Sequence, residues 1–266
     1  VAIGHNAGTA VTTGQYNTII GGLAGDALTT GDGSTAVGYA ALSTETSGGK
    51  NTAIGARSQE DVNNSGNGNN TSVGFESMLN ATTAIGSTAI GSSSMSGVMT
   101  GDFNTAVGYL SGLSITSGKE NVLIGANAGD SLTTGEKNVA IGKGALSTED
   151  TGDKNIAIGH GALQTANYDG SAYNVAIGHD AGVLVSTGVQ NTLIGGLAGD
   201  ALTTGNYNVA VGYNSLGATN VGAKNTAVGN FALNENVRTN NNVAIGQQAL
   251  QSLVGDGSTD NQETYN

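Results

Sequence analysis

A single glycine, recurring at an almost fixed interval, constrains this chain more than any other feature. It closes the five-residue stretch Asn138-Val139-Ala140-Ile141-Gly142, which returns as Asn155-Ile156-Ala157-Ile158-Gly159 and as Asn208-Val209-Ala210-Val211-Gly212. The glycine falls at 4, 21, 38, 55, 74, 91, 108, 125, 142, 159, 178, 195, 212, 229 and 246, so twelve of the fourteen gaps are 17 residues and two are 19. A unit written fifteen times cannot surround one central core; it must stack on its own copies. The reading is therefore one continuous repeat array over 1–266 with no internal domain boundary.

Numbering each copy from its glycine as zero exposes the pattern. Position −1 is Ile or Val in every copy, −3 is Val, Ile or Thr, and −2 is usually Ala. Alternation of this kind is the period of a β-strand, and β-branched residues suit a packed, pleated face. On that basis the Ile/Val and Val/Thr columns are expected to form the inner stripe. Position +3 is Ala or Ser throughout. Beyond it, six copies carry Gly at +4 with an aliphatic residue at +7 (Val11, Leu28, Ile115, Leu132, Val185, Leu202). Eight copies place the large residue at +4 instead: Leu42, Met78, Met95, Leu146, Leu163, Leu216, Leu233 and Leu250. Both patterns read as one core slot filled from either of two backbone positions. In most of the second set +7 is polar or small, as at Glu45, Glu149 and Asn236, with Val98 and Leu253 as exceptions. The copy at Gly55 mixes the two, with Gln59 and Val62, and is expected to be the least regular.

Glycine recurs at +10, where it allows the positive φ of a tight turn. The two 19-residue copies carry their extra residues beside such turns, near Ser65-Gly66-Asn67 and Tyr168-Asp169-Gly170. Two short strands and two turns per copy then give the expected fold class: an all-β, parallel β-solenoid, or β-roll, of about fifteen 17-residue coils. At about 4.8 Å per coil, fifteen coils span roughly 70 Å. Stacking in register places the asparagines of position −4 in one file: Asn17, Asn51, Asn70, Asn104, Asn121, Asn138, Asn155, Asn174, Asn191, Asn208, Asn225 and Asn242. Such a file can form an amide ladder. Each coil offers only about three sizeable apolar groups, which is thin for a free-standing rod. The small residues at −2 and +3 are expected to permit close approach of neighbouring chains, and a threefold bundle would supply the missing core.

Composition removes several functions. With 8 Lys and Arg against 20 Asp and Glu, the net charge of −12 disfavours nucleic-acid binding. There is no cysteine, hence no disulfide framework and no thiolate metal site. No apolar run approaches the length of a membrane span, so no membrane insertion is expected. The chain opens at Val1 inside a repeat and reads as a fragment or a mature segment.

The unit Asn-Thr-Ala-Ile-Gly…Ala…Gly resembles the head repeats of trimeric autotransporter adhesins. It is also similar to the Asn-Thr-Ala-Val-Gly-Tyr-x-Ala-Leu repeats of tail-fibre-like phage proteins and bacterial surface proteins. Thr35-Ala36-Val37-Gly38-Tyr39-Ala40-Ala41-Leu42 and Asn225-Thr226-Ala227-Val228-Gly229 carry the likeness. The resemblance implies a left-handed roll, a homotrimer, and an extracellular, cell-surface or virion-tail location. It also implies a fibre segment that reaches toward a surface glycan or protein receptor. The 17-residue coil is longer than the adhesin head unit, and no stalk, anchor or self-cleaving chaperone domain is visible.

Candidate chemistry is sparse. His5, His160 and His179 all stand at +1, and the last two occupy successive coils about 5 Å apart. A metal pair is conceivable, but solvated surface histidines are the preferred reading, with no metal and no cofactor assigned. Tyr39, Phe75, Tyr109 and Tyr213 at +1, with Tyr16, Phe103, Tyr173 and Tyr207 at −5, flank the strand. They are candidate glycan or surface contacts; shielding strand edges or filling gaps between chains is the simpler account. Asp26, Asp130 and Asp200 at +5, and acidic turns at Gly31-Asp32-Gly33 and Gly255-Asp256-Gly257, could hold calcium but read as solvated turns. No catalytic residue is assigned, because neither a Gly-x-Ser-x-Gly elbow nor a His-Glu-x-x-His helix is present. The leading expectation is a non-catalytic structural or adhesive fibre segment. The alternatives are an ice-binding solenoid and a solenoid carbohydrate-active enzyme. Against ice binding, Thr at −3 alternates with Val and Ile, as an inward position would.

Overall fold

The computed structural model describes residues 1–64, 66–235 and 240–252. Ser65, Asn236, Leu253 and the acidic turn Gly255-Asp256-Gly257 lie outside the described residues. The contacts divide the chain into two compact units, Val1–Thr134 and Gly135–Asn266.

The first unit holds β1 (Ala2–Ile3), β2 (Thr18–Ile20), β3 (Thr35–Val37), β4 (Thr52–Ile54), β5 (Thr71–Val73), β6 (Thr88–Ile90), β7 (Thr105–Val107) and β8 (Val122–Ile124). Each pairs in parallel with the next, and like residues are partners: Thr35 with Thr52, Ala36 with Ala53, Val37 with Ile54. The second unit repeats the arrangement with β9 (Val139–Ile141), β10 (Ile156–Ile158), β11 (Val175–Ile177), β12 (Thr192–Ile194), β13 (Val209–Val211), β14 (Thr226–Val228) and β15 (Val243–Ile245). Each unit is thus a parallel β-solenoid with one strand per coil. The 19-residue spacings leave the register intact: Thr52 pairs with Thr71, and Ile156 with Val175.

The second wall of each coil is not the second short strand expected of each copy. Left-handed residues interrupt it at +2 and +4, such as Ala40 (φ 52°) and Leu42 (φ 55°). Their amides still bond from coil to coil, as Leu42 N–H to Ser58 O at 3.0 Å and Gly25 N–H to Ala41 O at 2.9 Å. Bonds from coil to coil therefore run along both walls, although only one has extended geometry. The second wall's amides at +3 and +7 turn back within their own coil, as Ala41 N–H to Gly38 O (3.4 Å) and Leu28 N–H to Gly25 O (3.2 Å).

The invariant glycine has a steric cause. Gly142 has φ 136°, and a Cβ there would collide with the carbonyl group of Gly159 one coil on. The same overlap recurs at Gly38 against Gly55 and at Gly178 against Gly195. No L-residue fits such a column, whatever its propensity.

The strand faces are the reverse of the expectation. Position −2 points inward: Ala36, Ala53, Ala89, Ala140, Ala157 and Ala210 are buried, as are Ile19, Leu123 and Leu193. The β-branched residues at −1 and −3 point outward, and Ile20, Ile54, Ile90, Ile124, Ile177 and Ile194 are 37–41% exposed. The physical reason is width. Where +3 is Ser, its hydroxyl reaches the strand carbonyl of the next coil, as from Ser77 to Ala89 O (3.0 Å) and from Ser111 to Leu123 O (2.8 Å). The two walls thus stand one small side chain apart. Ala and Ser fit between them, and a file of Ile does not. The small columns therefore serve the inside of a coil and not the approach of another chain, which removes that argument for a bundle.

The core slot is filled as its sequence pattern implies. Leu28, Ile115, Leu132, Val185 and Leu202 at +7 are fully buried, and so are Leu42, Met78, Met95, Leu146, Leu163, Leu216 and Leu233 at +4. Each such side chain contributes about 1.5–3 kcal/mol by leaving water. The copy at Gly55 buries both Gln59 and Val62. The Gln59 amide donates to Thr52 O (2.9 Å) and Ser72 Oγ (2.8 Å), so a polar group occupies the slot there.

Candidate functional site

The outward face of the strands is the most regular surface of each unit. Across it run position −3 (Thr, Val or Ile, half-buried for the most part) and position −1 (Ile or Val). In the first unit Thr18, Thr35, Thr52, Thr71, Thr88 and Thr105 occupy −3 in six successive coils. In-register pairing stacks each residue on its counterpart. The result is two parallel files, one of hydroxyl and methyl groups and one of branched alkyl groups. Sequence reasoning missed this face because bulk was taken as the mark of an interior.

The eight flanking aromatics are all exposed. Tyr39, Phe75, Tyr109 and Tyr213 at +1 border one side of the strand, and Tyr16, Phe103, Tyr173 and Tyr207 at −5 border the other. Several rings lie over a glycine of the preceding coil: a Cβ on Gly22 would stand 3.7 Å from the Tyr39 ring, and one on Gly196 would stand 3.5 Å from Tyr213. Tyr213 also meets Phe231 edge-on, with centroids 5.4 Å apart. Lys154 lies 4.9 Å from the Tyr173 ring centroid and donates to its hydroxyl at 3.1 Å. That hydrogen bond, and then the charge, hold the Tyr173 phenol below its ordinary pKa.

The asparagines of −4 lie inside the coils. Asn208 shows the full pattern. Its amide donates to Asn191 Oδ1 (3.1 Å) and Gly222 O (2.9 Å), and its Oδ1 accepts from Asn225 N–H (3.0 Å). Ser34 and Ser87 stand in the same file and accept from Asn51 and Asn104 N–H through their hydroxyls. The ladder is structural and leaves its groups no role at the surface.

Two buried carboxylates were not foreseen. Glu45 and Glu149 at +7 are fully buried. Each lies in the coil before a 19-residue copy. Glu45 accepts from Gly48 N–H (2.7 Å) and Asn64 N–H (3.0 Å), and Glu149 accepts from Gly152 N–H (2.7 Å) and Tyr168 N–H (3.3 Å). Each carboxylate thus caps its own turn and the widened turn above it. Burial pushes the Glu149 carboxyl up from its ordinary pKa, against the lowering effect of those amides. The signal was in the sequence: Glu occurs at +7 only in these two copies.

Of the acidic +5 residues, Asp26 and Asp130 stand in well-separated coils of the first unit, and Asp200 stands in the second. Burial raises the Asp200 pKa. The histidines differ. His160 and His179 stack with centroids 5.0 Å apart and planes 10° apart, and Asp180 reaches both. His5 stands in the other unit.

Among the described residues, no helix is long and apolar enough to cross a membrane. No protein-family model, curated protein or solved structure matches the chain, so its functional reading rests on these surfaces.

Proposed function

We propose that this chain is a non-catalytic structural segment of an extracellular or virion fibre that associates with copies of itself, as a homotrimer, through the outward Ile/Val and Thr/Val files. One observation carries this reading: an uncharged, β-branched stripe that repeats at the coil spacing and faces out in each unit. Exposed apolar stripes of this regularity mark contact surfaces. A second copy of the same chain is the partner with the same period, so its side chains can interdigitate along the whole stripe. The exposed aromatics on either margin are available to a surface glycan or protein receptor, where a ring offers a large apolar area and Tyr adds a polar end. The negative charge supports a partner other than nucleic acid.

Sedimentation equilibrium tests the association. The chain should sediment as a trimer, and the outward substitutions Ile90→Lys and Ile124→Lys should yield a folded monomer by circular dichroism. A monomeric parent at micromolar concentration would refute the reading.

A second reading is favoured by the outward threonines of the first unit. A flat array of hydroxyl and methyl groups at fixed spacing can order water, which is the requirement of an ice-binding face. The objection that −3 faces inward no longer holds. Thermal hysteresis that disappears on Thr71→Lys and Thr88→Lys, measured on a monomeric chain, would establish this reading in place of the first.

A further inference from the structure

We propose that His160, His179 and Asp180 form a surface binding site for one divalent transition-metal ion of the zinc, nickel, cobalt or copper group. One ligand atom from each of the three side chains can be chosen so that all lie within 4.8 Å of one another, and among the described residues this is the one such group. The carboxylate bridges the two rings: Asp180 Oδ1 lies 3.4 Å from His160 Nδ1, and Oδ2 lies 3.1 Å from His179 Nδ1. Bonds of about 2.0–2.2 Å to a shared ion place its ligand atoms roughly 3–3.5 Å apart. Each ring nitrogen already stands at that separation from one oxygen of the carboxylate, His160 from Oδ1 and His179 from Oδ2. The remaining nitrogen–nitrogen distance closes by rotation of histidine side chains that are 55% and 66% exposed.

Two features of the fold assemble the group. First, His160 and His179 are separated by a 19-residue copy, yet Ile158 and Ile177 remain direct partners. The extra residues fall at the distant turn, and the two +1 positions stay stacked. Second, Asp180 has φ 53° and its carboxylate lies over Gly161 of the coil before. A Cβ on Gly161 would collide with Asp180 Oδ1. Position +2 is glycine in only two of the fifteen copies, Gly144 and Gly161. Of the two, only Gly161 is followed one coil on by a carboxylate at +2, Asp180, so the combination that admits the third ligand occurs once. The +1 file continues with Lys143 on one side and Gly196 on the other, so that file adds no further histidine to the group.

Two imidazoles and one carboxylate select borderline transition metals over calcium or magnesium, which take oxygen ligands. Three protein ligands leave at least one coordination position for water or an added donor. The site stands apart from the association reading, because it is complete within one chain.

Isothermal titration of the full chain with zinc chloride, and separately nickel chloride, should show one ion per chain. His160→Ala and His179→Ala should each weaken binding by at least about tenfold. His5→Ala should leave it unchanged. Gly161→Ala and Gly144→Ala place the same methyl at nearly the same φ, +65° and +67°, but the nearest atom to the latter is 3.7 Å away. Only Gly161→Ala should weaken binding, with both histidines still present. Absence of a saturable isotherm, unchanged affinity in the His160 and His179 variants, or equal effects of the two glycine variants would overturn the assignment.

Discussion

Leu123 offers the sharpest test of how the narrow interior is packed. It occupies −2, where most copies carry Ala, and is fully buried. The space comes from two glycines. A Cβ on Gly129 of its own coil would stand 2.8 Å from Leu123 Cδ2, and one on Gly112 of the coil before would stand 2.9 Å from Cδ1. The same triad recurs as Leu193 with Gly182 and Gly199, at 2.6 and 2.8 Å, and as Ile19 with Gly8 and Gly25 at 3.0 and 3.3 Å. A large residue at −2 thus requires glycine at +4 in two successive coils. Leu123→Ala should cost about 3 kcal/mol, within the range for truncating a buried Leu, because glycines cannot close the cavity. Gly129→Ala should cost about 2–4 kcal/mol, of which roughly 1 is the left-handed φ and the remainder is overlap with Leu123. In the double variant the overlap is gone. Its cost should fall short of the sum by about 1–3 kcal/mol. Left-handed geometry alone does not demand glycine, since Leu42, Leu146 and Leu216 hold the same position at φ 53–56°. Urea unfolding followed by circular dichroism, with the slope checked for constancy across the four proteins, measures the cycle. Additivity within about 0.5 kcal/mol would refute steric coupling between −2 and +4.

Two further predictions concern buried polar groups. Asn208→Ala removes the acceptor of Asn225 N–H and a donor to Gly222 O; each orphaned group should cost about 1–3 kcal/mol. Asn208→Ser should be milder, since Ser34 and Ser87 fill the same file, and equal midpoints for the two variants in thermal unfolding would argue against the ladder as the cause. Glu149 titrates above its ordinary value because it is buried. The folded chain then binds more protons than the unfolded chain in the window above the usual carboxylate pKa. Its stability relative to Glu149→Gln should rise as pH falls through the raised folded pKa, and should be lowest at neutral pH. Paired denaturation curves from pH 7 to pH 4 would show this, and a gap that stays flat or widens in the other sense would contradict it.

The sequence by itself determined the coil. A glycine column at 17-residue spacing, Gly-rich turns and the strand alternation dictate equal turns stacked in parallel. The +4/+7 exchange identified the core slot, because in most copies an aliphatic residue at one of the two positions goes with a small or polar residue at the other. Alternation also says that a strand has two different faces, but a period of two does not say which is inside. The parity of the buried asparagines held that answer: position −4 shares a face with −2, not with −3 and −1. Bulk argued the opposite, and bulk gave way because the walls are one alanine apart.

Tertiary structure alone decided that the Thr/Val and Ile/Val files face outward, that Glu45 and Glu149 are buried as caps of two turns, and that Asp180 joins the pair of His160 and His179. Each depends on which atoms of neighbouring coils come within a few ångströms. That distance is set by the interior width and by where a 19-residue copy puts its extra residues. A list of repeats carries the period of such contacts but not their depth.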